Sequence, residues 1–329
     1  MKKFFKWFAG IILFLAILYF IGPKPPKPQF SANPQVPSEL TLLEQKINND
    51  EKLVRGLKPD NEARIVWADS LKQKTKVVFL YLHGFTGSQA EGDPVHRDVA
   101  KQFHSNLFLS RLEEHGTDRG DSTMINLNAD NYYASAEEAF QIAKQLGDEV
   151  ILMGTSAGGA LSLFLASRQP EIKAVILYSP CIKLANPAAA LLNRPWGLQI
   201  GRLFSGGKTQ NYEAESPQHA QYWTLKYRVE ALVTLVNMYS NALTPETYAR
   251  IKCPVFLGYY YKNDEEQDQT ASVPAMLEMY DKLGTPPEMK YKVAFPEAGA
   301  HVICSLIRSK DWQGVEKETI KFLQDIVKL

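Results

Sequence analysis

The sequence predicts an α/β fold: a mostly parallel central sheet with helices on both faces. Three observations carry that expectation. Apolar, β-rich runs recur along the chain with helical stretches between them. Those runs are continuous rather than alternating, as in strands buried on both faces. A length of 329 residues, 45% of them apolar and 22% charged, excludes disorder and permits one large domain or two smaller ones.

The elements follow in order. Lys2, Lys3 and Lys6 precede an apolar stretch from Trp7 to Ile21. With Phe4 and Phe5 it reaches the ~20 residues that span a bilayer, and residues 1–22 are read as a transmembrane anchor or signal. No small-residue cleavage site follows, because Tyr19-Phe20-Ile21-Gly22-Pro23 is bulky and then blocked by proline. The leading lysines favour an N-terminus inside and the main domain on the non-cytoplasmic side. Residues 23–37, rich in Pro and Lys, are expected to form an extended linker that holds the domain off the membrane. Residues 38–329 then form the domain, opening with a helix at Pro37-Ser38-Glu39-Leu40.

Strands are expected at Arg64–Trp67, Lys76–Leu82, Asn106–Arg111, Glu149–Met153, Ala174–Tyr178, Pro254–Tyr260 and Met289–Phe295. Helices are expected from Asp93-Pro94 to about Phe103, from Ser135 to Leu146 with Gly147 as its C-cap, from Ala157 to Ser167, and from Trp312 to Val327. Between Cys181 and Cys253 no strand is evident. That stretch, about 182–250, supplies bulk such as Leu191, Trp196, Leu198, Phe204, Trp223, Tyr227 and Met238, and is a candidate lid.

The chemistry sits at strand ends. Gly154-Thr155-Ser156-Ala157-Gly158 is a G-x-S-x-G between a strand and a helix. A sharp strand-to-helix turn lifts the Ser156 hydroxyl clear of the sheet, and the N–H of Ala157 then lies at a helix N-terminus, where it can hold an oxyanion. His83-Gly84-Phe85-Thr86-Gly87 follows the KVVFLYL strand, and the N–H of Phe85 is the second oxyanion candidate. His83 itself reads as a structural histidine. Serine needs a base, and His301, in the loop after the last strand, is the candidate. His96 and His104 read as helix-surface residues. The acid should follow PVFLGYYY, where both Asp264 and Asp268 are available.

In their order, HGFTG, GTSAGG, the step from Asp268 to Ala271 and AGAHV resemble the α/β-hydrolase superfamily, in its serine esterase and lipase branch. RLEEHG (111–116) is similar to a segment of monoglyceride-lipase-like and carboxylesterase-like members. The resemblance implies the α/β-hydrolase fold with a small helical lid. It also implies a catalytic set of Ser156, His301 and Asp268, the last preferred over Asp264, with Phe85 and Ala157 as oxyanion donors. The implied reaction is cleavage of a carboxylic ester through an acyl-enzyme; the aromatic bulk of the 182–250 insertion, if it lines the pocket, points to a small-molecule ester with an apolar acyl group. An amidase or peptidase on the same triad and a non-catalytic ligand-binding homologue are the alternatives. No cofactor and no metal are expected, since HExxH, CxxC and G-x-G-x-x-G are all absent. A near-zero balance of 37 Lys+Arg against 36 Asp+Glu argues against nucleic acid as a partner. Three cysteines exclude a disulfide scaffold.

Overall fold

The structure, a computed structural model, describes residues 2–329. Among the described residues, nine strands form two sheets. The main sheet contains β1 (Arg64–Val66), β2 (Thr75–Leu82), β3 (Asn106–Leu109), β4 (Gly147–Thr155) and β5 (Ala174–Tyr178). A two-stranded hairpin, β6 (Thr209–Asn211) with β7 (Lys226–Arg228), stands apart. Strands β8 (Val255–Tyr259) and β9 (Lys290–Ala294) complete the main sheet, whose order is β1-β3-β2-β4-β5-β8-β9. Only β1 runs antiparallel to its neighbour.

Eleven α-helices accompany them among the described residues. They are α1 (Lys2–Phe20), α2 (Leu40–Lys52), α3 (Val95–Gln102), α4 (Ala129–Leu146), α5 (Ala157–Ala166), α6 (Gly197–Phe204), α7 (Pro217–Tyr222), α8 (Val229–Ala242), α9 (Pro245–Arg250), α10 (Val273–Asp281) and α11 (Trp312–Phe322). The period-2 geometry of β2 explains the two cores. Val78, Leu80 and Leu82 pack on one face with α4 and α5, and Val77, Phe79 and Tyr81 pack on the other with α3 and α11. Both faces are covered, which is why the strands carry no polar alternation.

Several boundaries moved for identifiable reasons. Helix α4 starts at Ala129 rather than Ser135, because Asn128 and Asn131 cap it reciprocally. Gly147 does not cap it in a left-handed turn. Its φ of −153° is extended, and it opens β4 opposite Thr75. Glu39 caps α2 by accepting from the N–H groups of Thr41 and Leu42. The hairpin was missed because each strand has three residues and its sequence, TQN and KYR, is polar.

The N-terminal expectation changes most. Helix α1 forms, and its apolar side chains from Phe4 to Phe20 are largely exposed. Among the described residues, however, no helix is long and apolar enough to cross a membrane. Lys2, Lys3 and Lys6 fall within α1. The charge-free part, Trp7–Phe20, is about 21 Å long at 1.5 Å per residue, against roughly 30 Å of hydrocarbon in a bilayer. A transmembrane helix over residues 1–22 is therefore not supported, and the sidedness read from the lysines presupposes one. Met1 lies outside the described residues.

Residues 23–37 carry no regular secondary structure, and they do not hang free. The carbonyl of Pro23 accepts from the N–H of Trp196 at 2.9 Å, and that of Pro26 from Asn237 Nδ2 at 2.9 Å. Asp130 Oδ1 accepts from the N–H groups of Gln29 and Phe30. Phe30 is buried edge-on against Tyr133 and Phe164. Buried aromatic contact offsets the chain entropy that a free linker would have kept.

Candidate active site

The parallel strands deliver their loops to one edge. The turn after β2 carries Phe85, the turn after β4 carries Ser156, and the loops after β8 and β9 carry Asp268 and His301. Between β5 and β8 the chain leaves the sheet and builds a cap from α6, α7, the β6–β7 hairpin, α8 and α9, in the region expected to be a lid. The cap is tied down beside the site. Thr224 N–H donates to the carbonyl of Thr86 at 2.8 Å, and Lys58 Nζ bonds the carbonyls of Ala220 and Trp223.

Ser156 sits in a strained turn, with φ +53° and ψ −116°. The strain is held by its neighbours: its N–H donates to the carbonyl of Tyr178, and its carbonyl accepts from Cys181 and Ala160. Gly158 is required for close approach. A Cβ there would lie 1.9 Å from the carbonyl oxygen of Leu82, so no side chain fits where α5 crosses the end of β2. Neither the Phe85 nor the Ala157 N–H donates to another group among the described residues. Phe85 lines the same cavity as Ser156, and Ala157 follows Ser156 at the start of α5.

His301 Nδ1 lies 2.5 Å from Asp268 Oδ2. Asp268 is buried, and its other oxygen accepts from the N–H groups of Thr270 and Ala271 at 2.8 and 2.9 Å. That arrangement orients the ring and leaves Nε2 without a hydrogen-bond partner among the described residues. Burial alone would lower the pKa of His301. The charge and hydrogen bond of Asp268 outweigh it, and the net displacement is upward. Asp264 is elsewhere: it accepts from the hydroxyl of Tyr261 in an exposed loop and does not meet His301.

His83 is buried between its own turn and the next strand. Its Nδ1 meets the carbonyl of Gly84, and its Nε2 accepts from Leu112 N–H. Burial lowers its pKa to about 4, which keeps it neutral. His96 differs from the surface residue expected: it is fully buried against Tyr81, with Nε2 on the carbonyl of Gln89. His104 is exposed. Cys181, Cys253 and Cys304 are free thiols. Burial pushes each of them up to about 12, well away from a reactive thiolate.

Ser156 and His301 line one cavity of about 340 Å³, within the range of small-molecule sites. Its lining mixes apolar side chains, among them Leu184, Leu232, Leu235 and Tyr239, with polar and charged ones, among them Thr86, Glu213, Glu215 and Arg308. Of the aromatic and aliphatic residues expected to line a lid pocket, Trp223 and Tyr227 do so. Leu191 and Phe204 are exposed and Met238 is buried in the main core. One lining residue was not anticipated. Glu91, in the short turn Gln89–Gly92, is 2% exposed and reaches the cavity. A lone carboxylate with no partner at fixed spacing leaves no sequence signal.

Comparison with known proteins agrees with this architecture. The sequence pattern described as the alpha/beta hydrolase family matches residues 77–311. A thermostable monoacylglycerol lipase of Bacillus sp. (strain H-257) is 31% identical over 112 residues, which is 34% of this chain and 44% of that protein. The match thus spans less than half of that relative's length. Among solved structures, one described as LipS and LipT, two metagenome-derived lipolytic enzymes, superposes with a TM-score of 0.65 at 17% identity. That superposition covers 82% of this chain and 99% of the other. A soluble variant of monoglyceride lipase from Saccharomyces cerevisiae gives a TM-score of 0.58 at 15% identity, over 80% and 90% of the two chains. At these identities the structures speak to fold, and the family match covers most of the chain. The chain belongs to the alpha/beta hydrolase family.

Proposed function

We propose that the chain is a serine hydrolase that cleaves carboxylic esters through an acyl-enzyme on Ser156. The observation that carries this reading is the pairing of His301 with the buried Asp268, which leaves Nε2 free in a cavity shared with Ser156. In the reaction, His301 Nε2 takes the Ser156 hydroxyl proton as Oγ attacks the carbonyl carbon. Asp268 keeps the remaining proton on Nδ1 and stabilises the imidazolium. The N–H groups of Phe85 and Ala157 hold the oxyanion. Collapse of the tetrahedral intermediate expels the alcohol, which takes the proton from His301. Water then enters by the same route and releases the acid.

A cavity lined by both apolar and polar side chains supports an ester of an apolar acyl group and a small polar alcohol. That is the form of a monoacylglycerol, the substrate in the names of the relatives above. A series of p-nitrophenyl esters tests it. The value of kcat/KM should rise roughly fourfold per added methylene, the equivalent of about 0.8 kcal/mol per buried CH₂, until the cavity is filled. Aminoacyl amides turned over faster than the esters would overturn the esterase reading in favour of an amidase.

We also infer that α1 attaches the enzyme to a bilayer surface. Its exposed apolar side chains suit burial in one leaflet, its charge-free run is too short to span, and Lys6 and Lys24 flank that run where headgroups would meet them. The full chain should pellet with anionic vesicles, and a form starting at Gly22 should stay in the supernatant with its esterase activity intact. Equal partition of both forms would refute the attachment.

A further inference from the structure

We propose that Glu91 is a positioning residue of the oxyanion turn, and that its carboxyl must be neutral when Ser156 attacks. This rests on the hydrolase reading above and adds a group that the Ser156, His301 and Asp268 set does not need. Three features of the geometry support it.

The carboxyl is built into the turn that carries the Phe85 donor. Glu91 accepts from the N–H of Gly84, the residue immediately before Phe85. A Cβ at Gly84 would meet Glu91 Oε1 at 2.7 Å and Oε2 at 2.8 Å, and one at Gly87 would meet Oε1 at 3.0 Å. The side chain therefore fills the inside of the HGFTG turn. The same Cβ at Gly84 would meet the Cβ of Ser156 at 3.0 Å, so carboxyl and nucleophile flank one glycine. Negative charge develops next to this place in the transition state, and a carboxylate there opposes it.

No fixed cation neutralises Glu91. Among the described residues it makes no ion pair. The groups that face it are few. His301 and Arg308 approach from the segment after β9, and Arg308 is engaged with Glu215 at 2.6 Å. The cap presents the Trp223 indole as a neutral donor. The remaining neighbours are the hydroxyls of Tyr81, Tyr132 and Tyr239 and the Cys304 thiol, all neutral at physiological pH. Burial thus dominates and pushes the carboxyl up to about 7, against the opposing bond from Gly84 and the charge of His301.

The sign of the effect follows. Below that range Glu91 is protonated, supports the Gly84 N–H through its carbonyl oxygen and adds no charge. Above it, the carboxylate works against the oxyanion and favours the His301 imidazolium over the free base. The hydrolase should lose activity on the alkaline side at a pH where His301 alone would be fully competent.

The experiment compares kcat/KM from pH 6 to 9.5 for wild type, Glu91→Gln and Glu91→Ala. Gln keeps an acceptor for Gly84 and cannot ionise. The ratio of Glu91→Gln to wild type should climb with pH and reach roughly tenfold at pH 9. Glu91→Ala should lack the alkaline decline too, but with kcat lowered at every pH and KM little changed, because the turn loses its support. An alkaline limb in Glu91→Gln identical to wild type would overturn the charge argument, and an unimpaired kcat in Glu91→Ala would overturn the positioning role. If the variants do not fold, the rate of fluorophosphonate labelling of native protein gives the same reading. A decline above pH 8 supports the proposal, and a flat rate to pH 9.5 sinks it. Absence of any labelling would instead mean that the serine hydrolase reading itself has failed.

Discussion

Replacing Ser156 with Ala should lower kcat by about 10⁶ and abolish fluorophosphonate labelling. The size of the effect follows from the division of work at the site. On the proposed mechanism, removing Oγ leaves His301 no nucleophile to activate, and the only remaining help is binding and the two proposed backbone donors. Alanine keeps a Cβ, so the turn at φ +53° is no more strained than before. The hydroxyl caps no helix end, so its loss should move Tm by no more than about 2 °C. Folded, inactive and unlabelled protein is the expected result. Labelling that persists in Ser156→Ala would place the nucleophile elsewhere.

The second large effect concerns the acid. Asp268→Asn should reduce kcat by about 10⁴ while leaving the fold intact. Asn keeps one oxygen to accept from Thr270 and Ala271. It also puts an N–H or a neutral oxygen where His301 Nδ1 now meets a carboxylate at 2.5 Å. The ring can then bind with the wrong tautomer, and the imidazolium loses its counter-charge. Asp264→Asn, in an exposed loop where the side chain meets only Tyr261, should change kcat by less than twofold. Steady-state kinetics on the two variants discriminates cleanly, and a reversal of the two results would transfer the acid role to Asp264.

Much of this site was legible in the sequence because its parts are local. G-x-S-x-G between EVILM and ALSLFLA signals a sharp turn through its own glycines, and the close approach of Gly158 to Leu82 is the physical demand behind one of them. HGFTG after KVVFLYL is the same kind of signal. His301 was legible by chain order, from its place after the last strand. The acid was harder. Four carboxylates share one loop, and spacing did not separate them until a family resemblance was applied. The backbone does separate them, because the N–H groups of Thr270 and Ala271 point at Asp268 and bury it beneath His301.

The rest was not legible for reasons of distance. Glu91 gains its meaning from Gly84, Ser156 and His301, which belong to three other segments. The attachment of residues 23–30 depends on Asp130, Trp196 and Asn237, up to about two hundred residues away in the chain. Composition alone makes Pro23–Pro28 an extended segment, but what it lies against cannot be read from a proline pattern. The same holds for His96, whose helix looks solvated in sequence while its ring packs under Tyr81.

Sequence by itself determined the parallel sheet, the strand ends that carry Ser156, the HGFTG turn and His301, and the apolar N-terminal helix, because periodicity, glycine placement and order act over a few residues. The resemblance already preferred Asp268, and the fold supplies its contact with His301; tertiary structure alone decided which cap residues line the cavity and where the Pro-rich segment docks. It also decided that a buried carboxyl stands beside Ser156. Burial and charge pairing are properties of neighbours in space, and a chain acquires those only when it folds.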